Sequence, residues 1–340
     1  MVSIFSAPLA TPAQLSSSPS QQSGIPEPLE QKLNLVACRL IQAAGILMEL
    51  PQPTISTAII LLQRFYLLAP ISTSPLLPTS LASLYLSSKL TEHPQKPRDI
   101  INIFKYLLSP ASPLHPPHLR HASAAGPSKL RNTSNKNLYY VSEGDYTALR
   151  SLLLATEARI LRTLGFNTTV HLPYTLAFNY LQSLGVLSSS RSDDPSNSNA
   201  QKEGEEGGLY TPLQHDKLVS TTFAYLTDLL ASPSRVYLTH HPHEIAVAGI
   251  YIAARDHGVK LPMQWWEVWD VDRETLGFLM VVIRAGTYNG DTSSDGNGNG
   301  NGGGKIWIVE EGAFEDIDGG MVVAIGRESV EKEAEKLRNS

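Results

Sequence analysis

The amino-acid sequence predicts an all-α protein. Up to residue 290, apolar side chains recur at the three- and four-residue spacing of amphipathic helices, and no segment alternates as a half-buried strand would. Prolines, capping residues and a glycine mark where these helices begin and end. With 340 residues, 42% of them hydrophobic, the chain is long enough for about two domains with cores of ordinary size.

The first three predicted helices lie before residue 93. The first ends near Leu50, because Pro51 and Pro53 cannot donate hydrogen bonds and push the residue before each out of the α region. The second restarts at Thr54. The third, within residues 80–92, is apolar nearly all round, which is typical of a buried central helix. The first helix carries one apolar stripe, formed by Leu33, Val36, Ala37, Leu40, Ile41, Ala44, Leu47 and Met48.

Two more helices complete the first predicted domain. The fourth begins at residues 96–99, where a proline suits the first helical position, and it ends before Pro110. Residues 109–136 have no apolar period and predict a long loop. The fifth spans about 143–164, and Gly165 ends it as a left-handed cap. Its predicted inner face comprises Leu149, Leu152, Leu153, Thr156, Ile160 and Leu164.

The second half of the chain weakly repeats the first. Residues 41–47 match 181–187 at an offset of 140, and residues 82–89 match 248–255 at an offset of 166. The offsets differ by 26 residues, so the second copy needs an insertion of about that length. Residues 188–210 are polar, acidic and glycine-rich, and they predict this insertion as a disordered loop.

Helix start signals also recur in the second half. Thr211-Pro212 pairs a capping residue with a proline, and residues 241–244 place a proline first and an acid in the opening turn. A short aromatic helix is predicted between 261 and 269, and Asp272 is expected to cap a last helix over 273–287.

Five segments follow from these patterns. Residues 1–27 predict a disordered arm, 28–167 and 168–288 the two helical domains, 289–304 a flexible Gly/Asn-rich linker, and 305–340 a C-terminal extension. The extension combines a possible small hairpin with a charged helix.

Composition excludes several classes of protein. The net charge of −5 predicts no general attraction to nucleic acid or to an anionic membrane. The single cysteine, Cys38, excludes an internal disulfide and a cysteine-based zinc site. No apolar run is long enough to cross a bilayer, and no basic residue precedes Lys32, so we expect a soluble intracellular protein without a signal peptide.

One histidine cluster has some of the features of a metal site. His240, His241, His243 and Glu244 include a His-x-His spacing beside a carboxylate, which can ligate zinc in a zinc-dependent enzyme. However, Pro242 starts a helix there and no further motif completes the ligand set. No nucleophile elbow or phosphate-binding loop occurs. We therefore expect no catalysis, no metal and no cofactor.

Three motifs, in order, resemble a cyclin box. They are IQAAGILMELPQPTISTAIILLQRFY, SLASLYLSSKLTEHPQKPRDIINIFKYL and EARILRTLGFN. Among cyclins the chain is similar to the transcription-associated group, cyclin L in particular, over residues 30–288. This resemblance implies two tandem five-helix cyclin boxes.

The resemblance also implies a kinase-binding site. The lysine and glutamate that match Lys89 and Glu157 contact the partner kinase near its αC helix in the cyclins. Phe65, Phe104 and Leu107 are candidates for apolar contacts around that pair, and Leu68 and Ile103 were weighed with them. The alternatives are an ordinary intramolecular salt bridge for the charged pair and simple core positions for the apolar residues.

The function implied by the resemblance is that of a nuclear regulatory subunit. It would form a heterodimer with a cyclin-dependent serine/threonine kinase and activate it in RNA polymerase II transcription and RNA processing. An alternative is a nucleic-acid-binding or scaffold adaptor on the same helical fold. Such an adaptor would need a basic stripe, and the dispersed Lys and Arg of an acidic chain argue against direct nucleic-acid binding.

Overall fold

A computed structural model of the chain describes residues 9–108, 140–185 and 212–288. Every regular element within these ranges is helical and none is a strand, which confirms the predicted all-α fold. Four predicted segments lie outside the described residues. They are the loop, the insertion, the linker and the C-terminal extension (109–136, 188–210, 289–304 and 305–340).

The described residues divide into two compact units. The first ends at Val170 and the second begins at His171, three residues after the start of the predicted second domain at 168. No helix of the described residues is both long and apolar enough to cross a membrane.

The first unit contains the five predicted helices, preceded by two short ones. In chain order they are α1 (Pro12–Ser16), α2 (Pro19–Gln22), α3 (Glu27–Leu47), α4 (Gln52–Tyr66), α5 (Leu76–Leu90), α6 (Pro97–Leu107) and α7 (Glu143–Thr163). Helix α5 is central, because it packs against α3, α4, α6 and α7.

Small side chains allow α4 to approach its neighbours closely. The Ser83 hydroxyl of α5 donates a hydrogen bond to the Ala58 carbonyl oxygen of α4 at 2.6 Å, and Ser87 donates in the same way to Thr54. On α3, a Cβ added to Gly45 would lie 2.5 Å from Cγ1 of Ile55, so only glycine fits there. The small residues therefore set how closely three helices pack.

The prediction of a disordered arm is wrong for residues 9–26. Two short helices form there, and Ser18, Ser20 and Ile25 are buried. Polar hydrogen bonds to the folded body hold this segment, and a composition-based prediction does not detect such bonds.

The inner face predicted for α7 was too wide. Only Leu153, Glu157 and Ile160 are buried, whereas Leu149 and Leu152 are exposed. Helix α7 contacts only α5 and α6 extensively, so a narrow stripe is enough to cover the interface.

The second unit is built around a second central helix. Its elements are α8 (Tyr174–Ser183), α9 (Pro212–Leu229), α10 (Val236–Thr239), α11 (Pro242–Asp256), a 3₁₀ helix (Trp265–Trp269) and α12 (Arg273–Tyr288). Helix α11 packs against all the others. A Cβ added to Gly249 would lie 3.0 Å from Cδ2 of Leu226, so glycine allows α9 to approach here.

Candidate functional site

Lys89 and Glu157 meet at the edge of the first unit as the intramolecular salt bridge that is the alternative to kinase contact. Lys89, in the last turn of α5, forms an ion pair with Glu157 of α7. The ammonium nitrogen of Lys89 also lies 4.3 Å from the ring centroid of Tyr85, one turn earlier, in a cation–π contact. Two rigid helices thus hold the lysine in one place.

The two members of the pair differ in exposure. The Lys89 side chain is 39% exposed, whereas the Glu157 side chain is only 10% exposed. An ammonium group has three N–H donors, so Lys89 can bind an outside acceptor while it still contacts Glu157. Removing the lysine would leave a nearly buried carboxylate without its cation, which is costly.

Exposed leucines occur near the pair in the sequences of the two helices. Leu152 and Leu154 precede Glu157 on α7 by five and three residues, and Leu90 directly follows Lys89 on α5; all three are exposed. Exposed apolar side chains near a charged group make this part of the first unit a candidate protein-binding surface. We call Lys89, Glu157, Leu90, Leu152 and Leu154 the α5–α7 edge.

The other predicted contact residues belong to the core. Phe65, Phe104 and Leu107 are 0%, 2% and 1% exposed, so none can contact a partner on this surface. Their assignment as kinase-contact residues is corrected accordingly. Leu68, by contrast, is exposed, and Ile103 is half-buried.

A sequence signal for the missed residues existed. Leu152, Leu153 and Leu154 are consecutive, and consecutive residues point about 100° apart around a helix. One packed face cannot cover all three. The run itself therefore predicted that some leucine of α7 would face outward.

A second ion pair lies on the first unit. Arg98 of α6 pairs with Glu143 of α7, and its guanidinium stacks over the Tyr146 ring at 4.3 Å. The hydrogen bond to Glu143 raises the pKa of Arg98. Both side chains are well exposed, so this pair is expected to stabilise the fold little.

The histidine cluster has local structural roles. The Nδ1 atom of His240 lies 2.7 Å from the Thr239 hydroxyl, and its ring stacks on Phe278. The carboxylate of Glu244 accepts a hydrogen bond from the backbone N–H of His241, as a helix cap. Among the described residues, no group of three or more potential ligands could hold a metal ion.

The tryptophans contact other aromatic residues of the second unit. Trp265 is buried, Trp266 meets Tyr251 edge to face, and Trp269 stacks on Tyr180 with ring centroids 4.4 Å apart. Packing within the unit therefore accounts for most of their surface.

Comparison with known proteins finds relatives that are L-type cyclins. The chain is 31% identical over 260 residues to mouse Cyclin-L2, and 30% identical over 260 residues to chicken Cyclin-L1. Each alignment covers 76% of this chain and about two fifths of the relative (41% and 40%). No protein-family model matches the chain.

The fold is also found in solved structures. A chain in the crystal structure of the yeast RNA Pol II CTD kinase CTDK-1 complex superposes with a TM-score of 0.55 at 17% identity. The match covers 82% of this chain and 73% of that one.

Proposed function

We propose that this chain, which belongs to the cyclin family and is similar to cyclin L, binds and activates a cyclin-dependent serine/threonine kinase. The observation that carries the proposal is the Lys89–Glu157 pair, held between two packed helices with the lysine still accessible. The chain would act as the regulatory subunit of a heterodimer and leave catalysis to its partner.

The α5–α7 edge has the chemistry for such a partner. A half-exposed lysine can donate to a carbonyl or carboxylate of the kinase, and the exposed leucines can bury apolar surface around it. Charged hydrogen bonds that become desolvated at an interface are costly to truncate, roughly 2–5 kcal/mol each. The few residues of this edge can therefore supply much of the binding free energy.

Activation would be a population shift. A protein kinase needs an ordered Lys–Glu ion pair and a correctly placed activation loop before it can transfer a phosphoryl group. A rigid helical surface that binds only the kinase conformer with αC in place favours that conformer. Such rigidity comes from α5, which four other helices surround.

The pathway we propose is RNA polymerase II transcription and RNA processing in the nucleus. Its support is the L-type identity of the relatives and the shared fold with a chain of an RNA Pol II CTD kinase complex. The chain spans about two fifths of the length of the curated relatives it matches, so kinase, substrates and pathway are all part of the proposal.

The test is affinity purification with charge reversals. The tagged wild-type chain is expressed beside Lys89→Glu and Glu157→Lys, and co-purifying kinases are identified by mass spectrometry. We expect one cyclin-dependent kinase with the wild type and a loss of at least about thirtyfold in each variant, because Lys89→Glu places a negative charge against the acceptor of the partner and Glu157→Lys places a second cation beside Lys89.

The second unit offers a matched control. Asp256, at the end of α11, pairs with Arg284 of α12, so reversing that pair tests a similar change away from the proposed site. The Asp256→Arg/Arg284→Asp double variant should retain the kinase. If the wild type recovers no kinase, the function is wrong; if the Lys89 and Glu157 variants retain it, the site is wrong.

A further inference from the structure

Residues 9–26 form a strap that polar contacts hold against the first unit. We call this segment the N-terminal strap. Ser18 and Ser20 are 1% and 0% exposed, although both carry hydroxyl groups. The Ser20 hydroxyl accepts a hydrogen bond from the backbone N–H of Ile71, in the loop between α4 and α5, at 3.1 Å.

The other anchor is a buried carboxylate. Glu30 of α3 is 1% exposed, and its Oε2 accepts a hydrogen bond from the Ser18 hydroxyl at 2.7 Å. The same oxygen accepts from the side-chain amide of Gln21 at 3.2 Å. A carboxylate taken out of water depends on such donors, so strap and carboxylate stabilise each other.

Ser18 directly precedes Pro19, and a Ser-Pro dipeptide is the acceptor sequence of proline-directed kinases. We propose that Ser18 is a phosphorylation site for a proline-directed serine/threonine kinase, and that its phosphate releases the strap from α3. In the reaction, the Ser18 oxygen bonds to the γ-phosphorus of ATP, ADP leaves, and the hydroxyl proton passes to the kinase.

The phosphate changes the Ser18–Glu30 contact from attractive to repulsive. The hydroxyl proton that bound Glu30 is gone, and a group of about −2 charge takes its place beside a buried carboxylate. Two like charges in an enclosed site cannot both stay desolvated. Release of the strap lets both return to water.

Burial of Ser18 determines how the site works. A kinase can reach the hydroxyl only while the strap is undocked, as a terminal segment does transiently. The phosphate then prevents redocking, so modification traps the open form. Release would also take Ile25, a buried apolar residue of the strap, out of its packing.

The chain contains a matched control site within the same strap. Thr11 precedes Pro12 and is exposed, and its hydroxyl caps α1 by accepting from the backbone N–H of Gln14. In the part of the chain that the structure describes, the Thr11 hydroxyl hydrogen-bonds only to Gln14, so a phosphate there meets no buried carboxylate. Thr11 phosphorylation should leave the strap docked.

The test uses the purified full chain, a mitogen-activated protein kinase, ATP and site-resolved mass spectrometry. We expect Ser18 to be modified more slowly than Thr11 in the wild type. In Glu30→Ala, the Ser18 rate should rise about tenfold while the Thr11 rate is unchanged, because the strap loses its anchor.

Amide hydrogen exchange measures the release of the strap directly. This measurement needs no Glu30 variant. The Thr11→Ala chain phosphorylated at Ser18 should exchange the α2 amides and the Ile71 amide about tenfold faster than the same chain without phosphate. The Ser18→Ala chain phosphorylated at Thr11 should not. No detectable phosphate on Ser18, or phosphate without faster exchange, would overturn the proposal, whichever kinase the chain itself activates.

Discussion

The two central helices, α5 and α11, occupy matching places in the repeat but contact their neighbours through different chemistry. In α5, Ser83 and Ser87 donate hydrogen bonds to carbonyl groups of α4. The positions that match them in α11 are Gly249 and Ala253, and Gly249 contacts the apolar side chain of Leu226. The repeat thus keeps the small size of these residues and not their polarity, because close approach is what the fold requires.

The two central helices also differ in the ion pairs at their C-terminal ends. Lys89 of α5 pairs with Glu157, whereas its match in α11 is Arg255, and it is the next residue, Asp256, that pairs with Arg284. Tyr225 also donates to Asp256, and burial, followed by this hydrogen bond, raises the pKa of the tyrosine to about 12. Both central helices therefore end in an ion pair, but the paired position is shifted by one residue and the charge that the central helix contributes is opposite.

The largest effect on stability is expected at Gly249, where the lack of a side chain lets α11 and α9 approach closely. Gly249→Val adds a branched side chain 3.0 Å from Cδ2 of Leu226, and overpacking should lower the free energy of unfolding by about 3 kcal/mol. Urea denaturation followed by circular dichroism measures the loss. The control is Gly277→Val on α12, where an added Cβ meets nothing within 4 Å and stability should barely change.

The next effect tests the glycine of the first unit, which lies on α3. Gly45→Ala places a Cβ 2.5 Å from Cγ1 of Ile55. The steric cost exceeds the gain in helix propensity, and we expect a net loss of about 2 kcal/mol. In a double-mutant cycle with Ile55→Ala, the combined loss should be smaller than the sum; additive losses would disprove the contact.

A smaller effect is expected for the hydroxyl groups of α5. Ser83→Ala keeps the packing but removes the hydrogen bond to Ala58, at a cost of about 1 kcal/mol in the free energy of unfolding. Ser88→Ala is the control, since Ser88 donates only to the Tyr85 carbonyl of its own helix in the described contacts. Equal losses of stability in the two variants would mean that the Ser83–Ala58 hydrogen bond between the helices does not contribute to the free energy of unfolding.

The smallest expected effect is on the pH dependence of stability, and it comes from His240 in the second unit. Burial lowers the pKa of His240 below its ordinary value of 6.5. Folding therefore favours the neutral ring, and this stabilisation is present above pH 6.5 and is lost as the pH falls through the lowered pKa. His240→Gln should weaken the acid dependence of the urea midpoint, whereas His93→Gln, an exposed control in the first unit, should leave it unchanged.

Much of the fold could be predicted from the sequence because its signals are local. Pro97, Pro212 and Pro242 each stand at the first position of a helix, as the start signals indicated. The match between residues 82–89 and 248–255 also falls on the two central helices, α5 and α11. In contrast, the strap was missed, since its anchors are single hydroxyl groups that contact Glu30 and Ile71 from a polar, low-complexity segment.

The candidate site could be predicted only in part. The charged pair Lys89–Glu157 came from the resemblance, and the structure brings the two side chains together. The apolar partners were misassigned, because helical spacing identifies an apolar face without saying whether another helix covers it. Phe104 and Leu107 are covered, and Leu152 is not.

The leucine run of α7 has a consequence for the life of the molecule in a cell. A chain synthesised in excess of its partner would display Leu152 and Leu154 to chaperones and to the degradation machinery. Abundance would then follow that of the partner, and surplus copies would be removed without any dedicated regulatory signal.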